Sequence, residues 1–195
     1  MIEPANIAAI LLAAGQSRRF GAGDKLLAEL DGDPVALHAA RRIVALEPGR
    51  RIAVCSSADG ELARRLDALG FEIVSNAQPE RGLSQSLGAG IGLAASGSAA
   101  AALICLADMP FVTVHHLRAL LTRFDPEHCP VMASEKDGVA MPPVIFARSM
   151  FDRLRQAQGD QGGRALLAGA ARVRARAGEL ADIDVPDDLP HGRQA

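Results

Sequence analysis

The strongest constraint on this chain is a regular alternation of short, unbroken apolar runs with stretches of helical periodicity. Residues 7–13 read Ile-Ala-Ala-Ile-Leu-Leu-Ala without a polar break, and runs at 51–55, 71–75, 101–107 and 130–133 are similar. Runs of this length suit strands covered on both faces, as in a parallel sheet. Between them, residues 35–46, 59–69, 84–95 and 113–124 place apolar side chains at helical spacing. Asp33 with Pro34 marks a helix start, Gly70 a helix stop and Thr113 a cap. This order predicts an α/β fold, a three-layer sandwich of Rossmann-like type. Its sheet is mostly parallel, with right-handed crossovers. After residue 134 the pattern loosens. Residues 142–146 read as a strand whose prolines place it at a sheet edge or a strand start. Helices are expected over 148–156 and 164–170, and residues 180–185 can return to the sheet. No repeat or linker divides the chain. The expectation is one domain over residues 1–190 and a disordered tail over 191–195.

Composition excludes several classes of function. The 195 residues carry 21 Lys and Arg against 23 Asp and Glu, a net charge of −2, with no basic run. Sequence-independent nucleic-acid binding therefore has no electrostatic footprint. Six Phe with no Trp or Tyr leave no base-stacking platform. The first apolar run falls short of the roughly 20 residues that span a bilayer. No basic segment introduces it as a secretion signal would. No membrane role is expected, and the expected location is cytoplasmic. Cys55, Cys105 and Cys129 form no Cys-x-x-Cys pair and read as reduced thiols.

The candidate chemistry begins where the first strand ends. The connection Ala13-Ala14-Gly15-Gln16-Ser17-Arg18-Arg19-Phe20-Gly21-Ala22-Gly23-Asp24-Lys25 is rich in glycine and cations. Open α/β sheets bind ligands beyond the carboxyl ends of their strands. Glycines let backbone N–H groups approach a phosphate, and Arg19 and Lys25 supply positive charge. The loop matches neither G-x-x-x-x-G-K-[ST] nor G-x-G-x-x-G. On the residues alone, an exposed turn with charges remains open. Asp108, in Leu106-Ala107-Asp108-Met109-Pro110, closes a strand at the same end, where a carboxylate suits a hard divalent cation or caps a turn. In Asp182-Ile183-Asp184-Val185-Pro186-Asp187-Asp188, alternation puts Asp182 and Asp184 on one face of a strand. A helix cap with first-turn acids is the other reading. Ser84 and Ser86 open a helix whose N–H groups suit an anion or an acceptor-rich edge, or Ser84 simply caps it. Arg164, at a helix start where a cation is unfavourable, hints at an anionic partner. His115 and His116 diverge on a helix and read as surface residues.

The run Leu12 to Lys25, LAAGQSRRFGAGDK, resembles the LAAGxSxRxGxxK signature of the MobA-like nucleotidyltransferase family. The LADMP element, the G-x-S-x-S-L run at 82–87, the Gly159-Asp160-Gln161-Gly162-Gly163-Arg164 element and Asp182-Ile183-Asp184 extend the resemblance over residues 7–189. The resemblance implies a Rossmann-like nucleotidyltransferase fold. It also implies that Ala13, Ala14, Gly15, Arg19 and Lys25 hold a nucleoside triphosphate, and that Ser84 and Ser86 contact base and ribose. Asp108 would bind a catalytic Mg2+, completed by Asp184 or Asp182, with Lys25, Arg19 and Asp108 as the catalytic set. Asp160, Gly162 and Arg164 would lie where the second substrate is received. The double-alanine loop, the G-x-S-x-S-L run and the GDxGxR element together are similar to the cytidylyltransferases of the molybdenum cofactor. That favours CTP as donor, the phosphate of molybdopterin as acceptor and a molybdenum hydroxylase as eventual client. Guanylyl transfer, a sugar- or alcohol-phosphate acceptor, and a non-catalytic carrier of the cofactor remain open. One departure stands out: Met141-Pro142 replaces the family's usual Gly-His, which puts the acceptor in question.

Overall fold

A computed structural model gives the fold and describes residues 1–15, 20, 23–76, 82–157 and 165–189. The strands are β1 (Ile7–Ala13), β2 (Glu29–Leu30), β3 (Asp33–Pro34), β4 (Arg50–Cys55), β5 (Glu72–Ser75), β6 (Ala101–Leu106), β7 (Val131–Lys136), β8 (Val139–Ala147) and β9 (Ala171–Arg174). The helices are α1 (Val35–Leu46), α2 (Glu61–Ala68), α3 (Leu83–Ala95), α4 (Val114–Arg123) and α5 (Phe151–Gln156). Seven strands form one sheet in the order β5-β4-β1-β6-β8-β7-β9, and β2 pairs with β3 in a small antiparallel hairpin. β5, β4, β1 and β6 run parallel, β8 is antiparallel to both β6 and β7, and β9 returns parallel to β7. The mostly parallel α/β sheet matches the expected fold class.

Strand periodicity divides the core into two layers. In β1, Ile7, Ala9, Leu11 and Ala13 face the layer that holds α1, α2 and α4, while Ala8, Ile10 and Leu12 face α3 and α5. Every residue of β1 is buried, which explains its unbroken apolar run. Gly90 brings α3 against the sheet: a Cβ there would lie 2.7 Å from a methyl of Ile10 and 3.1 Å from one of Val54.

Several elements depart from the expectation. Asp33 does not cap α1. It lies in β3 and pairs with Arg41, and Pro34 occupies the cap position without a side-chain bond. β8 is interior, although Pro142 and Pro143 were expected to hold it at an edge or a strand start. Its pairing with β6 starts only at Val144, and its register with β7 slips between Ala133 and Ser134, opposite the prolines. The two residues lacking N–H groups, joined by a cis bond, thus sit in an irregularity where no ladder donor is required. The expected helix over 164–170 is cut short. Ala165 and Leu166 are helical, but the chain turns at Gly169, whose φ is 80°, and enters β9. β9 was not expected. It is an edge strand in which Val173 is buried between two exposed arginines, so it carries no apolar run. Residues 180–185 do not rejoin the sheet. The tail 191–195 lies outside the described residues. No described helix is long and apolar enough to cross a membrane.

Candidate active site at the carboxyl edge of the sheet

The parallel strands β1 and β6 end side by side, with Ala107 donating its N–H to the Leu12 carbonyl at 3.1 Å. Ala13 and Ala14 are buried on opposite faces, so Gly15 is the first residue to emerge, and a Cβ there would meet none of the described residues within 4 Å. Three segments converge on this edge.

The first carries Lys25. The Asp24 carboxylate accepts the Leu26 N–H at 3.0 Å, and its carbonyl accepts those of Leu27 and Ala28. Leu26 is buried in the core, and its carbonyl accepts the Ala36 N–H of α1. The second carries Asp108, placed two residues beyond the end of β6 and held between the buried Ala107 and Met109. The third carries Asp184. Its neighbour Ile183 is fully buried beside Leu30 and Val35 and donates its N–H to the Asp108 carbonyl at 2.9 Å. The Asp188 carboxylate accepts the N–H groups of Asp184 and Val185 at 2.8 and 2.9 Å.

These segments bring three charges together. The Lys25 ammonium donates to Asp108 Oδ2 at 2.6 Å and to Asp184 Oδ1 at 3.0 Å. Burial works to lower the Lys25 pKa, but hydrogen bonds and charge from Asp108, then Asp184, outweigh it and raise the group above its ordinary value. Lys25 is therefore charged at neutral pH. The triad holds one negative charge in excess. Asp108 Oδ1 is buried and has no hydrogen-bond partner among the described residues. A buried anionic oxygen left unpaired is costly and marks a place for a cation. Asp182 is exposed and makes none of the contacts that tie Asp184 to Lys25. Among the described residues no three His, Cys, Asp or Glu side chains gather as a metal site. A pair of carboxylates completed by substrate phosphates and water fits magnesium, and not the closed protein cage of structural zinc.

Ser84 and Ser86 are buried in the first turns of α3, and Gly82, not Ser84, occupies the cap position. Ser86 Oγ accepts from Asn76 Nδ2 at 2.9 Å, tying the end of β5 to the helix. Arg19, Asp160, Gly162 and Arg164 lie outside the described residues.

One polar cluster was missed. His116, expected at the surface, is 3% exposed. Its Nε2 lies 2.8 Å from Ser134 Oγ, whose own proton goes to the Pro143 carbonyl at 2.7 Å. A hydroxyl has one proton, so Nε2–H is the donor to Ser134. On the other side, Nδ1 lies 3.9 Å from Glu179, which accepts from the Thr113 hydroxyl and from the Arg176 N–H. Thr113 also caps α4 by accepting the His116 N–H, as expected of it. The cluster joins α4, β7, the proline irregularity of β8 and the turn that leads to Asp184. Only the neighbouring pair His115-His116 could have signalled it, and adjacency on a helix argues for divergence. Cys55 and Cys105 are free and buried, with thiols pushed up to about 11 and about 12 by burial, so both stay protonated at neutral pH.

The model of the MobA-like NTP transferase domain matches residues 9–176, and the chain belongs to that family. It is 36% identical over 122 residues to the purine catabolism protein PucB of Bacillus subtilis, a match covering 60% of this chain and 58% of that protein. It is 29% identical over 117 residues to a probable molybdenum cofactor guanylyltransferase of Pyrococcus horikoshii, covering 60% of this chain and 56% of that protein. The matches thus span little more than half the length of either relative. Among solved structures, Rv0371c of Mycobacterium tuberculosis superposes with a TM-score of 0.78 at 21% identity, over 95% of this chain and 96% of that one. The same protein in complex with manganese gives 0.73 at 20% identity, over 94% and 95%. At such identities the likeness is one of fold.

Proposed function

We propose that this chain transfers a nucleotidyl group from a nucleoside triphosphate to the phosphate of a second substrate and releases pyrophosphate. The observation that carries this reading is the Lys25 ammonium shared by Asp108 and Asp184, beside Asp108 Oδ1, which has no partner among the described residues, at the carboxyl edge of the sheet. Asp108, with Asp184, would hold Mg2+. A bound divalent ion supplies Lewis-acid stabilisation of charge on phosphate oxygens.

The chain's own residues do the rest. Lys25 bridges the two carboxylates at rest and would transfer its hydrogen bonds to the triphosphate when substrate arrives. Arg19 adds a second cation from the loop. Backbone at Ala13, Ala14 and Gly15 lets the phosphates approach the strand end, while Ser84 meets the nucleoside. Ser86 supports that contact through Asn76. Asp160, Gly162 and Arg164 would receive the acceptor. An acceptor phosphate is already ionised at neutral pH, so positioning and charge dominate over proton transfer. The motif set favours CTP as donor and molybdopterin as acceptor, with guanylyl transfer the alternative that the archaeal relative supports. A molybdenum hydroxylase fits as client of such a product. Asp108→Ala tests the site: magnesium-dependent pyrophosphate release should fall by about 10²-fold or more, as for loss of a principal charge-stabilising group. Unchanged turnover would remove Asp108 from the mechanism.

A further inference from the structure

Asp108 and Asp184 meet at Lys25, yet neither lies in a regular element: residues 107–113 and 175–185 contain no helix or strand. Two cross-links between these stretches fix the separation of the acids. One is the Ile183 N–H on the Asp108 carbonyl, at 2.9 Å. The other stands five residues from each acid, between Thr113, which follows Asp108, and Glu179, which precedes Asp184. Glu179 is the one acidic side chain that is buried among the described residues. One of its oxygens accepts from the Thr113 hydroxyl, and the other accepts the Arg176 N–H at 3.0 Å. Its own N–H donates to the Arg176 carbonyl at 3.2 Å, so side chain and backbone together close the turn over 176–179. Thr113 is fixed in turn, because its oxygen accepts the His116 N–H as the cap of α4. The carboxylate thus lies at the amino end of a ten-residue helix, where the helix dipole favours negative charge. Between the cross-links, Met109 and Val112 on one stretch and Leu180 on the other pack into one core cluster.

We propose that Glu179 is a positioning residue of this site: bonded to Thr113, it sets the distance between the Asp108 and Asp184 carboxylates, on which binding of a divalent ion depends. The proposal rests on the metal-ligand reading of the two acids for its role in the reaction, but not for the placement of Asp184. Burying a carboxylate is costly and is offset here by donors on both oxygens. A turn that merely leaves an edge strand needs no such anchor. A turn that delivers Asp184 to within 3.0 Å of a lysine 159 positions away does. Glu179 acts through Asp184 and touches no substrate. Groups that orient a metal ligand from behind govern affinity nearly as strongly as the ligand itself.

The test separates position from charge. Glu179→Gln keeps the reach: its amide oxygen can accept the Arg176 N–H while its N–H donates to Thr113 Oγ. Glu179→Asp keeps the charge but is one methylene shorter, so it cannot close the turn and meet Thr113 together. Mn2+ binding by the full chain is followed by electron paramagnetic resonance, with a non-reactive methylene analogue of CTP at saturation. Glu179→Gln should bind like the parent, and Glu179→Asp about tenfold more weakly. Thr113→Val should match Glu179→Asp, and Thr113→Ser should match the parent. Thr113→Val and Glu179→Asp break one contact from its two ends, so together they should weaken binding little further than either alone. Either one carries the test if the other does not fold. Gly90→Ala, which disturbs α3 against the sheet, controls for lost stability and should leave Mn2+ affinity unchanged. A second measurement needs no metal. In chelator, Asp184→Asn should lower the melting temperature less in the Glu179→Asp or Thr113→Val background than in the parent, because a displaced Asp184 has less contact with Lys25 to lose. Parent-like Mn2+ binding in Glu179→Asp and Thr113→Val, a loss in Glu179→Gln as large as in Glu179→Asp, or additive melting shifts would each overturn the proposal. A parent that binds no Mn2+ would instead count against the metal reading, and the melting comparison then decides the positioning role.

Discussion

At the scale of single residues, Lys25 is the hinge of the account. It stands 83 positions from Asp108 and 159 from Asp184, yet touches both. Lys25→Met leaves two partly buried carboxylates facing each other without a counter-ion, which destabilises the folded chain. The same change vacates space for a divalent ion. The variant should therefore melt below the parent in chelator and gain more than the parent from added magnesium or manganese. Its turnover should fall by about 10²–10³-fold, since a cation at developing charge is lost. Equal metal-induced shifts in variant and parent would show that the ammonium and the ion do not share a place. Lys25, Asp108 and Asp184 were legible in sequence because each lies in a local motif with a physical reason for its residue type. The division between Asp182 and Asp184 was not, because it rested on a strand that does not form. The packing of Ile183 against Leu30 and Val35 decides which acid reaches Lys25, and no local pattern encodes that long-range contact.

At the scale of elements, the buried cluster around His116 links four segments and makes its own prediction. Burial lowers the His116 pKa, opposed by the Glu179 carboxylate and aided by His115. The unfolded chain therefore binds a proton on this histidine more readily than the folded one. Stability is held above the ordinary histidine value of about 6.5 and lost as pH falls from there through the depressed folded value. Glu179 is also depressed. Burial acts to raise it, but the Thr113 hydroxyl, backbone N–H groups and His116 prevail, so its contribution is lost only in a more acidic window. Thermal melting should fall between pH 7 and pH 5.5 in the parent, and His116→Asn should flatten that slope. A parallel slope in the variant would place the titrating group elsewhere. Helix α3 offers a second comparison. Gly90→Ala forces a Cβ against the buried Ile10 and should cost about 1–3 kcal/mol. Gly92→Ala meets nothing within 4 Å and should gain about 0.5–1 kcal/mol. Denaturant unfolding of the two variants should move in opposite directions. The helices and the buried parallel strands were readable because burial on both faces writes itself into unbroken apolar runs. β9 was not, because an edge strand with one buried side chain resembles a loop. The position of β8 was misjudged because a register slip removes the need for the proline N–H groups.

At the scale of the whole molecule, division of labour follows the sheet. Its parallel half ends in the glycine loop and in Asp108, which the strand ends place together as open α/β sheets do. The segment after its antiparallel half brings Asp184 to the triad, with the Ile183 N–H on the Asp108 carbonyl. The first half was legible from alternation alone. The second was not, because an antiparallel strand inserted between β6 and β7 breaks the strand–helix rhythm that the reading followed. In the proposed reaction the triphosphate would lie over the ends of the parallel strands, beside the triad, with the acceptor phosphate next to it. The direct test is pyrophosphate release by the purified chain with magnesium and each of CTP, GTP, ATP and UTP, with and without molybdopterin. The account predicts release with CTP that requires both magnesium and the pterin. Release with GTP alone would move the chain to the guanylyl branch, and no release with any triphosphate and acceptor would contradict the claim that this site transfers nucleotides.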